Sequence, residues 1–185
     1  MSQTGTPTST QPDAEVTGMS ESNIGVFLSV LERREPDNWE FHQDEKNPCW
    51  KVQYKGYYPP CNFHIEQGTS FIYLHAPIDI RVWEENRFAF YRYALRLNEE
   101  ISGAKFGINC EGQLALMVEW YNDQLAFVGF ETAVQIVLTY YRTYYADLQL
   151  VAQDAELARQ ITVREQSAQE QERKMQIQIE RNPQT

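Results

Sequence analysis

Ile24, Phe27, Leu28 and Leu31 fall at i, i+3, i+4 and i+7, the spacing that lines one face of an α-helix, and Ser20 or Ser22 stands where its N-terminal cap belongs. A first amphipathic helix over residues 20–34 is predicted. Residues 32–46 are dense in charge and contain Pro36, which predicts a solvated loop. The period then changes to two. Trp50, Val52 and Tyr54 alternate with Lys51, Gln53 and Lys55, predicting a half-buried strand that Gly56 and Pro59-Pro60 end. Residues 61–66 alternate less cleanly. In residues 70–76 the consecutive Phe71, Ile72, Tyr73 and Leu74 predict a central strand covered on both faces, with Gly68-Thr69 as the intervening turn.

Residues 84–102 return to a helical period, with acids at the start and Gly103 as the stop. Phe90, Tyr93, Ala94, Leu97 and Ile101 form one apolar arc of this helix, and Phe88, Tyr91 and Leu95 form a second. An ordinary surface helix needs one such stripe, so the second asks for a cover, either another chain or a terminal helix of this one. Phe106, Ile108 and Cys110, then Leu114, Leu116, Val118 and Trp120, predict a hairpin turning at Glu111-Gly112. A long helix over residues 129–151 follows, with Phe130, Val134, Val137, Tyr141, Tyr144 and Leu148 on one side. Beyond Ala155 the stripe fades into Gln, Glu and Arg, which predicts a solvated helical extension without a face to bury.

The order is therefore α-β-β-β-α-β-β-α. It predicts an α+β fold, a single antiparallel sheet of about five strands with helices packed on it. Three regions are expected: a disordered Ser/Thr-rich lead (residues 1–19), the α+β domain (20–151) and the Gln-rich helical extension (152–185).

Within this frame the chain resembles the YbjN family, in particular its cyanobacterial branch, whose members share the type III secretion chaperone-like fold. The residues that carry the resemblance are Cys49-Trp50-Lys51-Val52-Gln53-Tyr54, the helix end Leu95-Arg96-Leu97-Asn98, and Gly103-Ala104-Lys105-Phe106-Gly107-Ile108. It covers roughly residues 20–150. The resemblance implies a small acidic dimer or monomer that holds an extended protein segment. The lead and the tail depart from the family pattern.

Charge narrows the choice of partners. With 26 acidic and 16 basic side chains the net charge is −10, which argues against an electrostatic grip on nucleic acid or anionic lipid. No stretch is apolar enough to insert in a membrane, and residues 24–31 lack the flanks of a signal peptide, so a cytoplasmic location is expected. The three cysteines, Cys49, Cys61 and Cys110, fit reduced thiols.

Catalytic and cofactor chemistry finds little support. Cys61 and His64, three apart in a strand, point to opposite faces and do not make a metal site. His75 reads as a satisfied histidine rather than a base for a cysteine nucleophile, and Glu99-Glu100 belong to a salt-bridged solvated face with Arg92 and Arg96. No phosphate-cradling glycine loop, nucleophile elbow or zinc-helix motif is present in the sequence. Tyr140, Tyr141, Tyr144 and Tyr145 read as core with their hydroxyls at the rim.

The function expected is that of a non-enzymatic protein-binding module, chaperone-like or an assembly factor, with no cofactor, catalytic residue or metal. A client segment would lie on the sheet near Trp50, Val52 and Tyr54 or add to a sheet edge, and a homodimer would form through Phe88, Tyr91 and Leu95. The alternative is a small-ligand sensor holding an apolar metabolite or pigment in an aromatic pocket between the sheet and the last long helix.

Overall fold

The computed structural model describes residues 22–44, 49–121 and 126–181; the lead over residues 1–19 and the capping Ser20 lie outside them. Helix α1 (Ser22–Arg34) precedes four strands: β1 (Trp39–Gln43), β2 (Cys49–Tyr54), β3 (Cys61–Gln67) and β4 (Phe71–Pro77). A 3-10 turn at Glu84–Asn86 leads into α2 (Arg87–Leu97), after which come β5 (Lys105–Ile108), β6 (Leu114–Tyr121), α3 (Phe127–Gln153) and α4 (Ala155–Arg181). The six strands form one sheet in the order β1-β2-β3-β4-β6-β5, and every neighbouring pair is antiparallel. The fold is thus α+β with a single antiparallel sheet.

Strand periodicity decides which side of the sheet is dry. Directly opposed residues share a face, so Val52, Phe63, Ile65, Leu74, Val118 and Leu116 form one buried layer across four strands. Against it α3 sets Phe130, Val134, Val137 and Leu138. Burying such side chains stabilises by about 1.5–3 kcal/mol each relative to leaving them in water. The opposite face, carrying Lys51, His64, Glu66, Tyr73, His75 and Glu119, is more open, as is usual for an antiparallel sheet.

Two helical glycines let helices approach the sheet closely. A Cβ on Gly25 of α1 would stand 2.9 Å from the Trp50 ring, and one on Gly129 of α3 would stand 3.0 Å from Trp120 Nε1. At the hairpin between β5 and β6, Gly112 has φ +78°, a conformation that only glycine adopts easily. Asn109 braces that turn by accepting hydrogen bonds from the amides of Glu111 (3.0 Å) and Gln113 (2.8 Å).

Several expectations change. The solvated loop over residues 32–46 contains β1, because Trp39 and Phe41 alternate with Glu40 and His42 and pack inward beneath the charge. The helix expected over residues 84–102 is a 3-10 turn followed by a helix ending at Leu97. Strand β4 is not covered on both faces: Ile72, Leu74 and Ala76 are buried, while Tyr73 on the other side is exposed. The tail is helical over its described residues, but its first turns do have a face to bury. Asp154 caps α4 through the amides of Glu156 and Leu157, and Ala158 is buried with Leu157 and Ile161 packed on the core.

Candidate functional site

A sheet with this order has two edges, and they are treated differently. At one, the β5–β6 register and the Asn109 amide bonded to the Gln113 carbonyl direct odd-numbered residues of β5 toward β6, so Phe106 and Ile108 turn their main-chain groups outward. Asn98, just past the end of α2, meets Phe106 there. Its side-chain oxygen accepts the Phe106 N–H at 2.6 Å, and its side-chain nitrogen donates to the Phe106 carbonyl at 3.1 Å. One carboxamide thus takes the place that a neighbouring strand would fill, and it blunts this edge.

The β1 edge has no such plug among the described residues. Lys55 N–H donates to the Asn38 carbonyl at 2.7 Å and Asp44 N–H to the Cys49 carbonyl at 2.8 Å, so the even-numbered residues of β1 face β2. Trp39, Phe41 and Gln43 therefore direct their N–H and C=O groups away from the sheet, and no partner for those groups stands among the described residues. Their side chains point to the helix-covered face. Trp39 packs on Tyr54 with ring centroids 4.7 Å apart, and Phe41 on Trp50 at 6.0 Å.

Acidic groups surround this edge. Glu35, Asp37, Glu40 and Asp44 fall within or beside it, and among the described residues the nearby lysines are engaged: Lys55 with Glu40, and Lys51 with Asp44 at 3.5 Å. Glu35 also accepts from the Asn38 side chain and from the Tyr54 hydroxyl, each at 2.9 Å. Burial, and then that bond to Glu35, push the Tyr54 phenol up to about 12, so it stays a donor throughout the neutral range.

Of the residues expected to touch a client, Val52 is buried and Trp50 and Tyr54 are half-buried on the face beneath α1. They lie one strand in from the edge and support β1 rather than line an open groove. The three residues expected at a dimer interface do share one ridge. Phe88 is 60% exposed and Leu95 53%, with Tyr91 half-buried edge-on to Phe90. Helix α4 reaches α2 on its other side, where Tyr93 and Leu97 face Leu157 and Ile161 across a cleft of about 310 Å³.

The aromatic pocket expected between the sheet and the last long helix is filled. Phe63, Ile72, Leu74, Val118, Phe130 and Val137 are each no more than 1% exposed, because α3 packs its apolar face directly into the sheet layer. The tyrosines of α3 anchor it from the rim. Tyr141 donates to the Pro60 carbonyl and Tyr145 to the Asp79 carbonyl, both at 3.2 Å, and Tyr140 exchanges hydrogen bonds with the Ser102 main chain.

On the open face His64 and His75 meet edge to face at 5.0 Å, and His75 Nε2 lies 2.9 Å from Glu66. Burial, and secondarily His75, hold the His64 imidazole below its usual range. Cys61 is on the opposite face from His64, fully buried, and burial pushes its thiol up to about 12, far from a nucleophilic thiolate. Among the described residues no group of three or more histidines, cysteines and carboxylates is placed to hold a metal ion, and no helix is long and apolar enough to cross a membrane.

Sequence reasoning found the apolar ridge of α2 but missed the exposed edge of β1 and the Asn98 plug. The alternation of Trp39 and Phe41 with Glu40 and His42 was the available signal for β1.

Comparison with known proteins finds a likeness in solved structures alone. No family model matches the chain, and no curated protein matches it. The chain is similar to one in the heterodimeric complex ExoU-SpcU from the type III secretion system of Pseudomonas aeruginosa, with 13% identity over 70% of this chain and 98% of that one and a TM-score of 0.44. It is also similar to a chain of the ExsC-ExsE complex, with 11% identity over 69% of this chain and 95% of that one, again with a TM-score of 0.44.

Proposed function

We propose that this chain is a non-enzymatic protein-binding module of chaperone or assembly-factor type, which takes an extended, basic segment of a client as an additional strand beside β1. The observation that carries this reading is the asymmetry of the edges. Asn98 occupies the outward main-chain groups of Phe106 on β5, while those of Trp39, Phe41 and Gln43 on β1 face outward without a partner among the described residues. Main-chain hydrogen bonds would set the client's register, and alternate side chains would reach the Phe41 side of the sheet. The carboxylates of Glu35 and Asp37, in a chain of net charge −10, favour Lys and Arg between the client's apolar positions. Trp50, Val52 and Tyr54 serve this site from the next strand, where Tyr54 packs on Trp39, Trp50 packs on Phe41 and Val52 stands opposite Phe41. The YbjN-like resemblance and a type III secretion chaperone-like architecture belong to the same reading.

We further propose that two copies pair through α2. Running the two ridges antiparallel sets Phe88 of one copy on Leu95 of the other, on both sides of the Tyr91 pair, which makes the contact isologous and closed.

Amide hydrogen exchange in the presence of a saturating peptide that alternates Val with Lys tests the strand-addition reading. Protection is expected at Trp39, Phe41 and Gln43. Unchanged exchange throughout β1 would remove it.

A further inference from the structure

The open face of the sheet brings together two histidines from neighbouring strands. His64 of β3 and His75 of β4 stand directly opposite each other in the ladder, with ring centroids 5.0 Å apart. Directly opposed residues on one face are the closest side-chain neighbours a sheet offers. Both rings are half-buried on the face turned away from α3, and among the described residues no hydrogen bond holds the His64 imidazole. Cys61, three positions before His64, lies on the other face, so His75 is the neighbour the fold supplies.

Their spacing suits a shared metal ion. Two imidazoles bonded to one tetrahedral zinc ion, at about 2.0–2.1 Å per bond, have ring centres about 5 Å apart. The rings meet edge to face, and the outer torsion of a histidine is soft, so each can turn one nitrogen to a common point with the backbone unmoved. Glu66 prepares one of them. An ionised carboxylate only accepts, so the 2.9 Å bond puts the hydrogen on His75 Nε2 and leaves Nδ1 for the ion. Imidazoles that ligate metals are commonly oriented by a carboxylate at their other nitrogen in this way. Lys51, opposite His64 on its other side, has its ammonium 3.5 Å from Asp44. Two protein nitrogens, with the other coordination positions open to water, make an accessible site rather than an enclosed structural one.

We propose that His64 and His75 together bind one divalent transition-metal ion that favours imidazole nitrogen, such as zinc, with Glu66 orienting His75 and water completing the coordination. The site lies on the central strands and does not depend on strand addition at β1.

The test titrates the full chain with Zn²⁺ alone and follows the ring resonances of its three histidines. His42 is the internal control, because β2 and hence about 10 Å of sheet separate it from His64 in the same row. His64 and His75 are expected to shift together and saturate at one ion per chain, while His42 stays in place and Mg²⁺, which prefers oxygen ligands, moves none of the three. Reading the rings separates this site from the exposed Cys110 thiol. Zn²⁺ should also raise the thermal midpoint of the wild-type chain, and His64→Gln and His75→Gln should each weaken binding by about tenfold or more, as a shared ion requires. Absence of a joint shift, equal affinity at His42, the same response to Mg²⁺, or full affinity in either variant would each overturn the proposal.

Discussion

Asn98 holds Phe106 by both of its main-chain groups, at 2.6 Å and 3.1 Å, and so places a side chain where a sheet would otherwise continue. Replacing Asn98 with Ala leaves a half-buried N–H and C=O without their partner, which costs about 1–3 kcal/mol. The expected result is a lower urea midpoint together with concentration-dependent association through the reopened β5 edge, followed by light scattering. Asn98→Asp keeps the acceptor and loses the donor, so it should fall between the two. An Asn98→Ala variant with an unchanged midpoint would show that the plug carries no weight.

Gly25 and Trp50 give a prediction whose sign runs against helix propensity. Gly→Ala inside a helix usually stabilises by about 1 kcal/mol. Here the added Cβ would stand 2.9 Å from the Trp50 ring, and overpacking of this kind costs about 1–3 kcal/mol. Gly25→Ala is therefore expected to lower the thermal midpoint. In a Trp50→Leu background, where the ring is gone, the same change should raise it.

His64 makes stability depend on pH. Its imidazole is held below the usual range by burial and by His75, with Lys51 adding to the effect and Glu66 and Glu111 opposing it. A base whose folded pKa is depressed contributes stability that is fully present above its unfolded pKa and is lost as pH falls from there through the folded value. The loss should begin below about pH 6.5, the ordinary value for histidine. Urea unfolding at about pH 7.5 and about pH 5.5 checks this, and His64→Gln should flatten the difference. An equal slope in wild type and variant would assign the pH dependence to other groups.

The ridge on α2 is tested by oligomeric state. Sedimentation of the wild-type chain should show a dimer, and Phe88→Glu combined with Leu95→Glu should give a monomer with an unchanged thermal midpoint, since both side chains are exposed in a single copy. A wild-type chain that is monomeric across the whole concentration range would contradict the pairing.

Much of this architecture was legible in the residues. The period-two runs of β2 and β6 and the long stripe of α3 are decided by local alternation, and the structure has all three elements. Strand β1 was hidden because Glu40, His42 and the neighbouring acids dominate its composition, although Trp39 and Phe41 carry its buried face. The start of α4 was hidden for a different reason: its stripe is short, and Leu157, Ala158 and Ile161 find cover only because the chain turns at Asp154 and brings them back to α2 and α3. The edge asymmetry could not be read at all from sequence. Asn98 and Phe106 are close only once α2 and β5 are packed, and the outward direction of Trp39, Phe41 and Gln43 depends on register, which a single chain read in one dimension does not fix.

The central claim is that β1 accepts a client strand, and a proline placed at an outward position tests it most directly. Gln43 directs its N–H away from the sheet, so Gln43→Pro removes no ladder bond to β2, whereas His42→Pro removes an inward one. Calorimetric titration with the alternating Val–Lys peptide should show binding to the wild-type chain and a loss of at least about tenfold in Gln43→Pro, whose fold, read by circular dichroism, stays intact. Undiminished binding in a folded Gln43→Pro variant would contradict strand addition at β1 and place the client elsewhere on the molecule.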